Sequence, residues 1–270
     1  AGTLAVHRID TVVHLASIVT PGKDSNREFE YEVDVLGTEK VLQACVSSGV
    51  EHIVVSSSGA AYGYHPDNPE WIVETDALRG NESFAYAHHK RLVEEMLAQY
   101  RQTEPKLRQT ILRIGTILGE QVNNQITALF EKPALLAIAG SPSPFVFIWD
   151  KDVTGIILQA LFTRRSGAFN VAGDGAVNLK DIAHRLGKPL RVFPAWLLKL
   201  LLRIGSRLGL TRYGPEQLDF LRYRPVLLNT ALKTQLGYQP LKTSSQALEA
   251  FIAARQRQGK PIHIDKAQRS

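Results

Sequence analysis

The chain has 270 residues, 44% of them apolar and 21% charged, which is the make-up of an ordinary globule with a large core and excludes a disordered tail. Its net charge of +6 suits anionic ligands such as dinucleotides but is too mild to imply nucleic acid, and neither aromatic-and-basic interleaving nor zinc-finger spacing supports it. Cys45 is the single cysteine, which leaves no disulfide framework or cysteine-based metal site, and no run approaches the roughly 18 apolar residues of a membrane span, so a cytoplasmic protein is expected.

Residues 11–16, TVVHLA, read as a strand, with only ten residues before it. Residues 17–26 are polar and turn-rich around Pro21-Gly22; the loop either borders a cofactor or merely connects. Residues 29–48 follow as a helix closed by Gly49, with Val33, Leu36, Val41, Leu42 and Cys45 among its apolar positions. Cys45 sits among Val41, Leu42 and Val46, so it reads as a small buried hydrophobe rather than a reactive thiol. The stretch HIVVSSSGAAYG reads as a buried strand over residues 52–55 ending in Ser56, Ser57 and Ser58 and a glycine-containing turn. Open α/β sheets place their sites at such carboxyl strand ends. Residues 64–82 form a loop of mixed polarity, expected to flank a substrate cleft.

Residues 83–92, SFAYAHHKRL, carry the most chemistry in the chain. Tyr86 and Lys90 are four apart, and residues 91–100 continue as a helix through Leu92, Met96 and Leu97. Positions i and i+4 share a helix face, so the Lys90 ammonium can lie beside the Tyr86 phenol. A nearby cation draws a phenol down from its reference pKa of about 10 and makes it a proton-transfer group for an alcohol or a carbonyl. His88 and His89 are adjacent and diverge by roughly 100° on a helix, which argues against a metal pair.

Residues 108–114 read as another strand followed by GTILG, and residues 121–132 as a helix. Residues 145–148 lead into Asp150, Asp152 and a helix to residue 161; both aspartates read as helix-capping, dipole-complementing groups rather than metal ligands. Residues 169–172 form a last short strand before Gly173-Asp174-Gly175. From Ala176 the pattern changes to helices broken by Gly and Pro, including residues 215–223 and 243–257, and then a basic, polar tail from residue 259. Residues 196–210 are apolar with Lys199, Arg203 and Arg207 at i, i+4, i+8. Such a helix can lie on a membrane or meet an acidic partner, but the favoured reading is a lobe helix with one solvated basic stripe, because Gly205 interrupts it.

Taken together, DTVVHLA, VLGTEKVLQA, SSSGAAYG, YAHHK, LRIGTILG, FIWDKDV, FNVAGDG and LGYQP occur in an order that resembles the extended short-chain dehydrogenase/reductases, and within them the NAD-dependent epimerase/dehydratase family. The resemblance implies an α/β fold: a doubly wound parallel Rossmann-type sheet, N-terminally incomplete, with a smaller, mostly helical C-terminal lobe. It divides the chain into a dinucleotide-binding domain at 1–175, lacking its first βαβ units, and a substrate-binding lobe at 176–270. Tyr86 would be the acid/base, Lys90 would lower its pKa and hold the ribose hydroxyls, and Ser58 would orient the substrate oxygen. Of the serines, Ser56 and Ser57 fit simple turn-capping better than Ser58 does. Cofactor contacts are implied at Leu15, Ala16, Ser17, Ser56, Ser57, Tyr86, Lys90, Ile114 and Ile117, and substrate contacts at Ser58, Gly59, Ala60, Tyr86 and Thr116; no metal is implied.

The chain also departs from that family. It has Asp34 where an Asn is usual, and an ionised Asp accepts but does not donate. His89 stands for the serine of Pro-Tyr-x-x-Ser-Lys, and Thr116-Ile117 for an Asn-Pro or Asn-Val pair. No G-x-x-G-x-x-G occurs in the chain, although that turn would bring backbone N–H groups against the dinucleotide pyrophosphate. In the family the strand at 11–16 is the fourth of the sheet, preceded by roughly 60 residues of βαβ units. Either the chain is a piece of a longer protein or the cofactor is held otherwise; the first is expected, because an apolar edge strand is an aggregation hazard. The implied function is that of an NAD- or NADP-dependent oxidoreductase or epimerase/dehydratase acting on a hydroxyl or carbonyl carbon, that of a nucleotide sugar included. The alternative is a non-catalytic scaffold of the same fold. A small-molecule substrate and a homodimeric assembly are the expected partners, without nucleic acid or a membrane span.

Overall fold

The computed structural model describes residues 1–19, 25–207 and 217–259. The Pro21-Gly22 turn, residues 208–210 and 215–216 of two expected helices, and the tail from residue 260 lie outside the described residues.

In chain order the first half comprises α1 (Gly2–Val6), β1 (Thr11–His14), α2 (Arg27–Tyr31), a π-turn segment (Glu32–Leu36), α3 (Gly37–Ser47), β2 (His52–Ser58), a 3₁₀ turn (Gly59–Tyr62), α4 (Ala85–Thr103) and β3 (Arg108–Ile114). Then come β4 (Thr116–Leu118), α5 (Gln125–Phe130), β5 (Leu135–Ile138), β6 (Phe147–Trp149), α6 (Asp150–Thr163) and β7 (Gly167–Val171). The chain continues with α7 (Leu179–Arg185), β8 (Leu190–Phe193), α8 (Ala195–Arg207), α9 (Gln217–Arg222), a second π segment (Leu232–Leu236) and α10 (Ser244–Arg257).

Strands β1, β2, β3 and β7 form one parallel sheet in the order β1-β2-β3-β7. Its long central pair runs in register from His52 opposite Arg108 to Ser58 opposite Ile114. Both faces are covered, which is why β2 reads as an apolar run rather than an alternation. Ile53, Val55 and Ile111 face α3 and α4, where Leu42, Cys45, Val93 and Leu97 are buried. Val54 and Leu112 face the other way, onto Ile156 and Ala160 of α6 and onto Leu232 and Leu236. The fold is thus a Rossmann-type α/β sheet with helices on both sides. Cys45 lies in the first of these layers, and burial pushes its thiol up to about 11, which makes it inert.

The remaining strands pair in two short parallel ribbons, β4 with β6 and β5 with β8. Around them Phe130, Phe145, Phe147, Ile182, Leu248 and Phe251 form a second core, so residues from 118 to 147 share packing with α7 and α10.

Several local expectations change. The first strand stops at His14, leaving Leu15 half-exposed. The helix expected over 29–48 carries a π segment at Glu32–Leu36, and the serines continue β2 instead of leaving it. The helix expected over 121–132 is confined to Gln125–Phe130, because the Asn124 side chain accepts the Ile126 and Thr127 N–H groups and sets its start. Asp150 and Asp152 both lie in the first turn of α6, where they complement its dipole, but neither caps it: the N-cap is Trp149, with no side-chain cap. Asp152 is fully buried and accepts from the Tyr238 hydroxyl (3.0 Å) and the Leu241 N–H (2.8 Å), so it clamps the segment before α10.

Candidate active site

The carboxyl end of β2 and the first turns of α4 meet over the sheet edge. Their approach depends on Gly63, at φ +85°, where a Cβ would fall 2.4 Å from the Gly80 carbonyl oxygen. The loop between them is anchored below by Arg113 of β3. Its guanidinium donates to the Glu94 carboxylate (2.7 Å), the Tyr62 hydroxyl (2.8 Å) and the Glu74 carbonyl (2.8 Å). Glu94 also accepts from the Ser57 hydroxyl. This buried, fully paired cluster fixes α4, β2, β3 and the 3₁₀ turn relative to one another.

Above it opens a cavity of about 530 Å³. Leu15, Ser17, Ser56, Ser57, Ser58, Gly59, Ala60, Tyr86, Lys90, Ile114, Thr116 and Ile117 all border it. Of the residues implied by the resemblance, only Ala16 is not in its wall. Ser57 borders the cavity, but its hydroxyl is committed to Glu94, which leaves its backbone as the part facing a ligand.

Lys90 is buried and donates to the Ser56 carbonyl at 3.0 Å, which leaves two of its three N–H donors for other partners. Its ammonium lies 5.7 Å from the centroid of the Tyr86 ring. Burial draws the Lys90 pKa down, while the Asp34 and Glu94 carboxylates hold it up. The Tyr86 phenol does not move as the spacing suggested. Burial pushes it up to about 12, against a lowering by its hydrogen-bond neighbour Ser58, and the Asp34 charge adds to the rise. In this arrangement Tyr86 holds its proton throughout the neutral range. The capping expectation is also reversed among the serines: Ser58 is the one that caps, accepting the Ala60 N–H at 3.1 Å. That bond uses a lone pair and leaves the hydroxyl proton free to donate.

Asp34 sits in the π segment, a distortion common at functional positions. It is buried, accepts the Ile18 N–H at 2.9 Å and has its other oxygen 3.7 Å from His89 Nδ1. Burial opposes its ionisation, but His89, the Ile18 N–H, Ser17 and the Lys90 charge outweigh it and hold the carboxyl below the usual range.

The opposite wall draws on Tyr64, from the loop expected to flank a cleft, and on Phe84, Phe220 and Arg224, none of which the sequence singled out. Tyr64, Phe84 and Phe220 pack edge-on at 5.0–5.6 Å between ring centroids. Arg224 enters beside them, 3.9 Å from the Phe145 centroid, and donates to Ser143 Oγ at 2.6 Å. Its Nε is buried without a hydrogen-bond partner. Burial pulls its pKa down to about 10, and the neighbouring Tyr64 opposes this only weakly because its own burial keeps the phenol protonated. No carboxylate among the described residues pairs with it. Nothing in the local sequence marks Arg224, because its neighbours come from residues 143–145 and 220.

Comparison with known proteins bears on this geometry. Residues 1–171 match the family described as NAD dependent epimerase/dehydratase. An uncharacterized protein of Mycobacterium tuberculosis is 26% identical over 251 residues, 92% of this chain and 66% of its own length. The chain therefore spans just under two thirds of that relative. The UDP-glucose 4-epimerase of Erwinia amylovora is 32% identical over 123 residues, 45% of this chain and 36% of the enzyme. Among solved structures, the Thermotoga maritima UDP-glucose 4-epimerase bound to UDP-glucose superposes with a TM-score of 0.68 at 19% identity, over 95% of this chain and 80% of that one.

Proposed function

Because the chain belongs to the NAD-dependent epimerase/dehydratase family, we propose that this cavity is an active site that moves a proton at a sugar hydroxyl or carbonyl while a nicotinamide exchanges the hydride. The observation that carries the reading is the convergence of Ser58, Tyr86, Lys90 and Arg224 on one cavity. The wall fits the nicotinamide–ribose end of the cofactor. Ile114 and Ile117 supply apolar surface, and Lys90 has unused donors for ribose hydroxyls. When bound, the nicotinamide would accept or return a hydride; the remaining work falls to the protein.

Tyr86, kept protonated, is the acid that meets a carbonyl oxygen, and in the reverse direction it must take the proton back. Lys90 is held in place by the Ser56 carbonyl, and the Asp34 and Glu94 carboxylates support its charge against burial, which fixes the electrostatic environment of that exchange. Ser58 donates to the same oxygen and shares its developing charge. Residues 1–175 would carry this chemistry, and residues 176–270 would recognise the rest of the substrate through Phe220 and Arg224. A cation with no carboxylate partner among the described residues is costly to enclose, and an anionic group, such as the diphosphate of a nucleotide sugar, would balance it.

The reading is tested by incubating the protein with NAD and UDP-glucose, UDP-galactose or UDP-glucuronic acid and following the sugar protons by NMR. Conversion of one of them, dependent on NAD, is expected. No NAD-dependent change in any nucleotide sugar would overturn the substrate class.

A further inference from the structure

Helix α8 carries two exposed ridges side by side. Trp196, Leu200 and Ile204 succeed one another at i, i+4, i+8 and are 68%, 46% and 47% exposed, with Leu201 beside them at 54%. Lys199, Arg203 and Arg207 repeat at the same spacing and are exposed as well. At about 100° per residue, the basic ridge lies along one flank of the apolar one. The third face seats the helix: Leu198 and Leu202 pack with Ile138, Leu218 and Leu221. No acidic residue occurs in Ala195–Arg207. Scattered exposed apolar residues need no explanation, but four along a single helix do.

We propose that α8 is a membrane-docking helix that lies in the plane of an anionic lipid surface. Its apolar ridge would enter the boundary between headgroups and acyl chains, and its basic ridge would meet the lipid phosphates. Charge complementarity selects this occupant, since three cations with no acid on the helix match an anionic surface. Shape agrees: a convex ridge offers no groove to a partner peptide, whereas a bilayer accepts a helix lying flat. Trp196 stands at the start of the ridge, and an indole with an apolar body and a polar N–H suits an interface. No helix among the described residues is long and apolar enough to cross a membrane, so the contact would be peripheral. Helix α8 packs on α9, whose Phe220 borders the cavity, so the docked surface is one element away from the site. The proposal rests on the surface of α8 and is independent of the catalytic reading.

The test is co-sedimentation of the full chain with phosphatidylcholine vesicles, with and without about a quarter of phosphatidylglycerol. Binding to the anionic vesicles and little to the neutral ones is expected, with a blue shift of tryptophan emission that Trp196→Phe removes. Lys199→Ala with Arg203→Ala should lower partitioning about 25-fold, at roughly fivefold per basic side chain. Leu200→Ser with Ile204→Ser should lower it by roughly tenfold or more with the charge unchanged. Equal binding to neutral vesicles, or none to anionic ones, would overturn the proposal. So would a dimer that Leu200→Ser with Ile204→Ser dissociates, because a second copy would then cover the ridge.

Discussion

Lys90 and Arg224 bring positive charge to the same cavity from opposite parts of the chain, and the protein balances them differently. Lys90 has the Ser56 carbonyl in hydrogen-bond contact and the Asp34 and Glu94 charges in support. Arg224 has Ser143 and the faces of Phe145 and Phe220, with no carboxylate beside it among the described residues. Burial lowers both pKa values, yet among the described residues only Lys90 has carboxylates that oppose the fall. A compensated cation suits a fixed role in the chemistry. An uncompensated one leaves its balance to a ligand.

Removing each cation should expose that difference. Lys90→Ala strips the support of both Tyr86 and the ribose, and turnover should fall by at least about 10⁴-fold with weaker NADH binding, read by NADH fluorescence titration. In urea unfolding the same variant should lose about 1–3 kcal/mol, because it leaves the Ser56 carbonyl without that donor and the buried Asp34 carboxylate without a supporting charge. Ser58→Ala, which removes a donor that orients but does not transfer, should cost about 10–10²-fold in kcat. Arg224→Met should act on KM instead, raising it about tenfold for an anionic substrate with kcat nearly unchanged. Its unfolding free energy should stay within about 1 kcal/mol of the parent or exceed it, as expected when an unpaired enclosed charge is replaced by apolar volume. A large loss of stability in Arg224→Met would show that this charge is compensated after all.

The smallest effect concerns pH. A raised pKa keeps the proton on Tyr86 as pH climbs, until about 12. Carbonyl reduction should therefore show no loss of the Tyr86 acid between about pH 6 and 9, measured as kcat/KM. A basic limb near neutrality that Tyr86→Phe abolishes would mean that Lys90 lowers the phenol in the working enzyme.

The Lys90 side of the cavity was legible because its geometry is local. Four residues on a helix put Tyr86 and Lys90 on one face, and a strand ending in serines puts Ser58 opposite. The Arg224 side was not, because its partners Ser143 and Phe145 lie some eighty residues away and only packing brings them together. The clamping role of Asp152 was hidden for the same reason: its place in a first helical turn marks a dipole partner, but the donors it accepts from are at 238–242. The three-residue β4 is too short for any period to show. The rise of the Tyr86 pKa is not legible in the i, i+4 spacing, because burial of the ring and the Asp34 charge set it.

The most direct test of the central claim is Tyr86→Phe, which keeps the ring and its packing and removes only the proton-transferring hydroxyl. Assayed with whichever nucleotide sugar the parent converts, it should lower kcat by roughly 10²–10⁴-fold while NADH affinity stays within about twofold. Near-parental turnover in Tyr86→Phe across the pH range would contradict the assignment of this cavity's chemistry to α4.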